Sequence, residues 1–150
     1  MRIVLGSDHA GFELKQKLIA HLQESGHQII DVGTNSTSPV DYPDSAQALA
    51  MVILNRQAER GILICGSGIG SAIAANKIPG IRAGLCHDFY SAHQGVEHND
   101  LNVLVLGSRI IAFEYACDLV KIFLEAKFCG EERFQRRLAK VKKLESSHRE

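Results

Sequence analysis

The sequence predicts an α/β domain built on a parallel sheet, and three observations carry that prediction. Five short apolar runs, residues 2–5, 28–32, 61–65, 83–86 and 103–106, recur along the chain with helix-patterned segments between them. The run Ile62-Leu63-Ile64 is apolar at successive positions, which suits a strand covered on both faces by helices. Two runs end in glycine-bearing polar turns, and in such sheets ligands bind beyond the carboxyl ends of the strands.

Residues 2–5 (RIVL) form the first strand and end in Gly6-Ser7-Asp8-His9-Ala10-Gly11. Across residues 12–24, Phe12, Leu14, Leu18, Ile19 and Leu22 recur at helical spacing, with Glu13, Lys15, Lys17 and Gln23 on the other face. Ser25-Gly26 stops that helix and residues 28–32 (QIIDV) supply the next strand, giving a βαβ unit with a right-handed crossover. Residues 33–43 form a long turn-rich connection that carries Asp41 and Tyr42 over the carboxyl edge, and a loop of that length in a compact domain is often functional. Tyr42 either closes a small pocket or packs its ring on the loop. A helix over about 44–55 buries Ala46, Leu49, Val52 and Ile53 and leads to the strand at 61–65.

Pro79-Gly80 breaks the chain ahead of the fourth strand, 83–86, which ends at His87-Asp88. Residues 88–100 read as a helix interrupted at Gly95, carrying His93 and His98. The fifth strand is followed by Gly107-Ser108-Arg109 and a long helix to about residue 127, with Ala112, Ala116, Leu119, Val120, Phe123 and Leu124 on one stripe. A last helix over about 131–145 has the narrower stripe Phe134, Leu138, Val141, which invites packing against another subunit. Beside that stripe Arg133 and Arg137 stand one turn apart, a spacing at which two guanidinium groups can hold one phosphate. The lysines around them read equally as a solvated face.

The most informative stretch is 61–77 (GILICGSGIGSAIAANK). A buried strand turns sharply through Gly66, Gly68 and Gly70, alternating with Ser67, Ile69 and Ser71, and opens into a helix. Glycine lets the backbone take positive φ and approach a ligand closely, and the first helical amides lack intrahelical partners. Strand, glycine turn and helix start together make an anion site, for phosphate, carboxylate or a developing oxyanion. The spacing G-x-G-x-G is neither the dinucleotide fingerprint nor the nucleoside triphosphate loop. Cys65 ends the strand at this mouth, where a thiol has its pKa drawn below the ordinary ~8.5. The alternative is a small buried hydrophobe. Asp8 and His9, at the end of the first strand, fall on the same edge; Asp8 is read either as a helix cap or as a site residue.

Length and charge bound the rest. The 150 residues fit one domain spanning 1–150, and Lys plus Arg equal Asp plus Glu at 17 each, so no net field recruits nucleic acid or a membrane. Cys65, Cys86, Cys117 and Cys129 form no C-x-x-C pair, and with no signal segment in the sequence they predict a reducing cytoplasm. No apolar run is long enough to span a bilayer.

Six stretches in order, Ser7-Asp8-His9-Ala10-Gly11, Asp41-Tyr42-Pro43, Cys65-Gly66-Ser67-Gly68-Ile69-Gly70, Ala74-Ala75-Asn76-Lys77, His98-Asn99-Asp100 and Gly107-Ser108-Arg109, resemble the type B ribose-5-phosphate isomerase family. The resemblance covers nearly the whole chain. It implies a three-layer α/β/α sandwich on a Rossmann-like five-stranded parallel sheet, dimeric or tetrameric, with each site formed between two subunits and no cofactor or metal. By position it implies Cys65 as general base and His98 as the group that opens the furanose ring. Ser67 stands where the family commonly has threonine and keeps the hydroxyl; it joins them as a catalytic residue. Asp8, His9 and Tyr42 would contact the sugar, and Gly66, Gly68, Ile69, Gly70 and Ser71 would surround the reacting oxygens. Asn99, Arg109, Arg133 and Arg137 would bind the substrate, the arginines chiefly through phosphate. Ser71 stands where one branch of the family has a glutamate, so the chain resembles the cysteine-using branch.

The implied reaction is aldose–ketose isomerisation of ribose 5-phosphate through a cis-enediolate, with allose 6-phosphate or galactose 6-phosphate as alternative substrates. Two readings of another class stand beside it. One is a metal-dependent hydrolase using Asp8, His9, His87 and His98, although these histidines lack the i, i+4 pairing of helical zinc motifs. The other is a non-catalytic phosphate-ligand module or silent subunit of a mixed isomerase, which would need neither Cys65 nor His98.

Overall fold

The computed structural model describes residues 1–147. Strands β1 (Arg2–Ser7), β2 (Gln28–Gly33), β3 (Arg60–Cys65), β4 (Ala83–Leu85) and β5 (Val103–Gly107) form one sheet in the order β2-β1-β3-β5-β4, with every neighbouring pair parallel. Helices α1 (Phe12–Glu24), α2 (Tyr42–Leu54), α3 (Ile69–Asn76), α4 (Phe89–Asn99) and α5 (Phe113–Glu125) alternate with the strands, and α6 (Glu132–Ser147) follows.

Side-chain alternation along each strand divides the core in two. Ile62 and Ile64 of β3, with Ile3, Leu5, Leu104 and Leu106, pack under α1, α4 and α5. Leu63, with Val4, Val103 and Val105, packs under α2 and α3. These strand residues are fully buried, and each large one contributes about 1.5–3 kcal/mol relative to an exposed side chain. Helices therefore cover both faces, and the result is the three-layer α/β/α arrangement. Because α1 leaves β1 toward one face and α3 leaves β3 toward the other, the two loops diverge and open a crevice between neighbouring strands.

Four local expectations are corrected. Lys15 does not join the polar face of α1: it is 1% exposed, its stem running inward while its Nζ donates to Asp31 Oδ1 at 2.5 Å and to the carbonyls of Val32 and Thr34. An ammonium can be buried there because three oxygens at the end of β2 receive it. Helix α4 runs through Gly95 without a break; the glycine there makes room for Leu101, which folds back under the helix, donates its amide to the Gly95 carbonyl at 3.1 Å and would stand 3.3 Å from a Cβ. Ala112 lies outside the buried stripe as the residue before α5, and Val141 of α6 is exposed.

Helix α6 packs on α4 through Phe134 and Leu138. Among the described residues, no helix is long and apolar enough to cross a membrane.

Candidate active site

At the carboxyl edge of the sheet, the loops after β1, β3 and β5 meet the first residue of α2 around a cleft of about 390 Å³. Asp8, His9, Tyr42, Cys65, Gly66, Ser67, Gly70 and Arg109 line it, joined by Ala10 and Ile110. A larger cavity, about 530 Å³, lies between α1 and α5 and contains none of these loops.

Cys65 is 5% exposed and its Sγ accepts the amide hydrogen of Gly68 at 3.1 Å. That geometry depends on Gly68, whose φ is +84° and where a Cβ would fall 2.4 Å from Leu85. The chain thus turns within three residues and brings the start of α3 to the sulfur. Ser67 Oγ accepts from the amide of Ile69 at 3.2 Å, satisfying one of the unpaired donors of that first turn. The backbone of β5 closes the other side: the amides of Ser108 and Arg109 donate to the carbonyls of Cys65 and Gly66, at 2.8 and 3.0 Å. The guanidinium of Arg109 then lies over Gly66, where a Cβ would stand 3.5 Å from its Nη1.

Asp8 is 7% exposed, and its Oδ1 accepts from the amide of Gly11 at 3.1 Å. It therefore closes the turn ahead of α1 and lines the cleft; the helix cap is Gly11, which has no side-chain cap hydrogen bond, so Asp8 is not the cap of α1. His9 Nδ1 accepts from the amide of Val40 at 3.1 Å. The neutral ring consequently carries its proton on Nε2. Tyr42 spreads its ring over Gly70, where a Cβ would meet ring atoms at 2.8–3.0 Å.

Three of the substrate contacts expected from the 66–71 loop do not line the cleft. Gly68 is buried as the pivot of the turn, Ile69 is exposed beside it, and Ser71 is buried with its hydroxyl unpartnered.

His98, Asn99, Arg133 and Arg137 form a second group at the opposite edge of the sheet. Helix α4 runs back from the carboxyl end of β4, and its last turn stops beside Asp100, which pairs with Arg82 just ahead of that strand. The strand register sets Cys65 beside Gly107 and Gly61 beside Val103. Four steps of strand, about 13 Å, separate the two edges, and α4 ends beyond the far one. There the His98 ring stacks on Phe134, centroids 4.0 Å apart and planes 16° from parallel. Guanidinium groups of Arg133 and Arg137 stand 4.6 and 5.7 Å from the same ring. Arg133 also pairs with Glu131 at 3.2 Å, whereas Arg137 has no ion-pair partner among the described residues. Gln94 meets His98 Nδ1 at 2.9 Å.

Phe134 and Gln94 are the residues that sequence reasoning missed. Gln94 stands at i, i+4 from His98, a readable spacing; Phe134 was legible only as part of an apolar stripe. His87 lies apart from both groups, its Nε2 accepting from the amide of Gly107 at 2.9 Å. Asp8, His9, His87 and His98 thus do not converge, and among the described residues no three His, Cys, Asp or Glu side chains come together as metal ligands. Burial pushes the Cys86 thiol up to about 11, with Asp88 adding to it, and burial also raises Cys117. Those two are held as thiols.

Residues 3–141 match the family described as Ribose/Galactose Isomerase. The chain is 44% identical over 144 residues to ribose-5-phosphate isomerase B of Escherichia coli, covering 96% of each. It is similar to the solved ribose-5-phosphate isomerase B of Clostridium thermocellum, 42% identical with a TM-score of 0.96 over 99% of both chains. A structure of the Mycoplasma genitalium ribose-5-phosphate isomerase B with bound ribulose-5-phosphate is 38% identical, with a TM-score of 0.89 over 96% of this chain and 95% of that one.

Proposed function

Because the chain belongs to the ribose/galactose isomerase family, we propose that it interconverts ribose 5-phosphate and ribulose 5-phosphate through a cis-enediolate, in a site completed by a second copy of the chain. The protein is a sugar-phosphate isomerase; the choice of substrate, the residue roles and the shared site are the content of the proposal.

Isomerisation removes a proton from C2 of the open-chain aldose and returns one to C1, while a proton moves between the two oxygens. Cys65 thiolate is the base that takes and returns the carbon-bound proton. Positioned general bases contribute about 10²–10⁴ in rate. The observation that carries this role is the sulfur at the cleft, held by the Gly68 amide at the mouth of α3. Negative charge that develops on O1 and O2 is met by amides of the 66–71 loop and the Ser67 hydroxyl, donors fixed before the reaction begins. Asp8, His9 and Tyr42 contact the sugar hydroxyls, and Arg109 reaches into the cleft from the β5 side.

Ring opening needs a proton placed on the furanose ring oxygen, and phosphate needs cations. His98 of the partner subunit supplies the first, and Arg133 and Arg137 of the partner subunit the second, with Asn99 beside them. The support for a second copy is that these groups lie at the wrong edge of their own sheet to serve their own Cys65. An imidazole can both give and take that proton.

Replacing Cys65 with Ala should lower kcat by at least about 10² while calorimetric binding of ribose 5-phosphate is retained. Turnover at the wild-type level in that variant would remove the base assignment. Parallel assays with allose 6-phosphate and galactose 6-phosphate decide the substrate: a higher kcat/KM for either hexose phosphate would replace ribose 5-phosphate in the proposal.

A further inference from the structure

We infer that His87, on the loop after β4, is a positioning residue: as a neutral imidazole it holds the turn at residues 107–109, and through that turn the Cys65 loop and Arg109. The inference rests on the roles proposed above for Cys65 and Arg109.

The argument starts from a strand that stops early. Strand β4 has three residues, with Ala83, Gly84 and Leu85 opposite Val103, Leu104 and Val105. Continued by two residues, that register would set position 87 opposite Gly107, but the ladder has already ended. Gly107 is buried, and a buried amide without an acceptor is costly. His87 supplies the acceptor from its side chain, Nε2 receiving the Gly107 amide at 2.9 Å. Its own carbonyl is anchored by the Tyr115 hydroxyl of α5 at 2.9 Å.

What Gly107 holds is the cleft. A Cβ there would stand 2.6 Å from the Ser67 carbonyl oxygen, so the end of β5 presses directly on the Cys65 loop. The next two amides donate to the carbonyls of Cys65 and Gly66, and Ser108 Oγ donates to the Ala10 carbonyl at 2.8 Å. One turn thereby ties together the loops after β1, β3 and β5. Loss of its acceptor shifts Arg109 and the Cys65 peptide together.

Only the neutral ring can accept, so the device has a pH sense. Burial lowers the His87 pKa. Of the groups around it, Asp88 is turned away to accept from the Ser91 amide at 2.7 Å, Cys86 is a buried thiol, Tyr115 faces the carbonyl and β5 presents an amide. No ion pair involves the ring among the described residues. The unfolded chain takes up the proton first, near pH ~6.5. Stability resting on neutral His87 is therefore complete above that pH and is lost as pH falls through the lowered folded value.

The test compares wild type with His87→Gln, which keeps an acceptor that does not titrate, and His87→Leu, which has none. Expected for His87→Leu is a loss of about 10- to 100-fold in kcat/KM, the scale of a small misplacement of reacting groups. His87→Gln should recover most of that loss and should lack one acid-side inflection that the wild-type kcat/KM profile shows. Amide exchange followed by NMR should find Gly107 protected in wild type at pH ~6.5 and still protected somewhat below it, losing protection only as pH falls through the lowered folded value, and protected throughout in His87→Gln. A His87→Leu enzyme as active as wild type, identical acid limbs in wild type and His87→Gln, or Gly107 protection that ignores pH would each overturn the inference. If His87→Leu does not fold, the other two proteins still decide. A wild-type protein without isomerase activity would sink the proposed function instead, and the exchange measurement would remain decisive for His87.

Discussion

The cleft around Cys65 and the cluster around His98 are built in opposite ways. In the cleft, main-chain groups do the holding: amides of Gly68, Ser108 and Arg109 are pinned on Cys65 and Gly66, and glycines at 66, 68 and 107 let three loops touch. Such a site is fixed by its backbone, with the His87 ring supporting the turn at Gly107. The cluster is a stack of side chains on two helices, an imidazole on a phenyl ring with two guanidinium groups at its margin, and both arginines are exposed. It presents charge outward. In the proposed function, one half meets the negative charge of the reacting oxygens and the other serves the cleft of a second copy.

The largest expected effect breaks that comparison at its centre. Cys65→Ala and His98→Ala should each be nearly inactive alone. If the two halves of a site come from two copies, mixing the variants under conditions of subunit exchange rebuilds intact sites, about a quarter of the total for random pairing in a two-fold dimer. Activity recovered toward that fraction supports the shared cleft. Absence of recovery, in a mixture where exchange is shown by mass, would mean that each chain works alone.

The two regions also differ in how far they could be read from the sequence. Strands and helices were legible because apolar runs and helical stripes report burial directly: residues 12–24 bound α1 as observed. The cleft was legible too, because G-x-G-x-G after an apolar run has one structural meaning, and parallel strands bring their carboxyl ends together. The cluster was not, since residues 98 and 134 belong to helices whose contact depends on how α6 folds back. Resemblance named His98 and the arginines, but spacing alone could not show that Phe134 stacks beneath the imidazole. Lys15 was misread for a related reason: a charged residue in a helical pattern reads as solvated unless the oxygens that receive it, at Asp31, Val32 and Thr34, are already known to be there.

A smaller effect sharpens the division of labour. Arg137 lacks an ion-pair partner among the described residues, whereas Arg133 shares its charge with Glu131. Arg137→Ala should therefore raise KM more than Arg133→Ala does. A charge-assisted hydrogen bond to phosphate is worth about 1.5–3 kcal/mol, or roughly 10- to 100-fold. Since phosphate is bound alike in ground and transition states, kcat should change little. Steady-state kinetics on both variants checks the order, and equal KM values would show that the Glu131 pairing is broken when substrate binds.

The smallest effect tests whether the rigid half depends on one glycine for packing or for access. Gly70 is the second residue of α3, and its φ lies outside the left-handed region, so alanine fits the backbone there and gains up to about 1 kcal/mol of helix propensity. Its Cβ, however, would press within 2.8–3.0 Å of the Tyr42 ring. Tyr42 is 41% exposed and can swing aside, so Gly70→Ala should keep or slightly raise the melting temperature while lowering kcat/KM by a few-fold through the displaced ring. A double-mutant cycle isolates the cause, because residues in contact are non-additive. In a Tyr42→Ala background, Gly70→Ala should cost no further activity. An undiminished loss there would mean that the new methyl group obstructs the sugar itself, placing the substrate against α3 rather than beneath Tyr42.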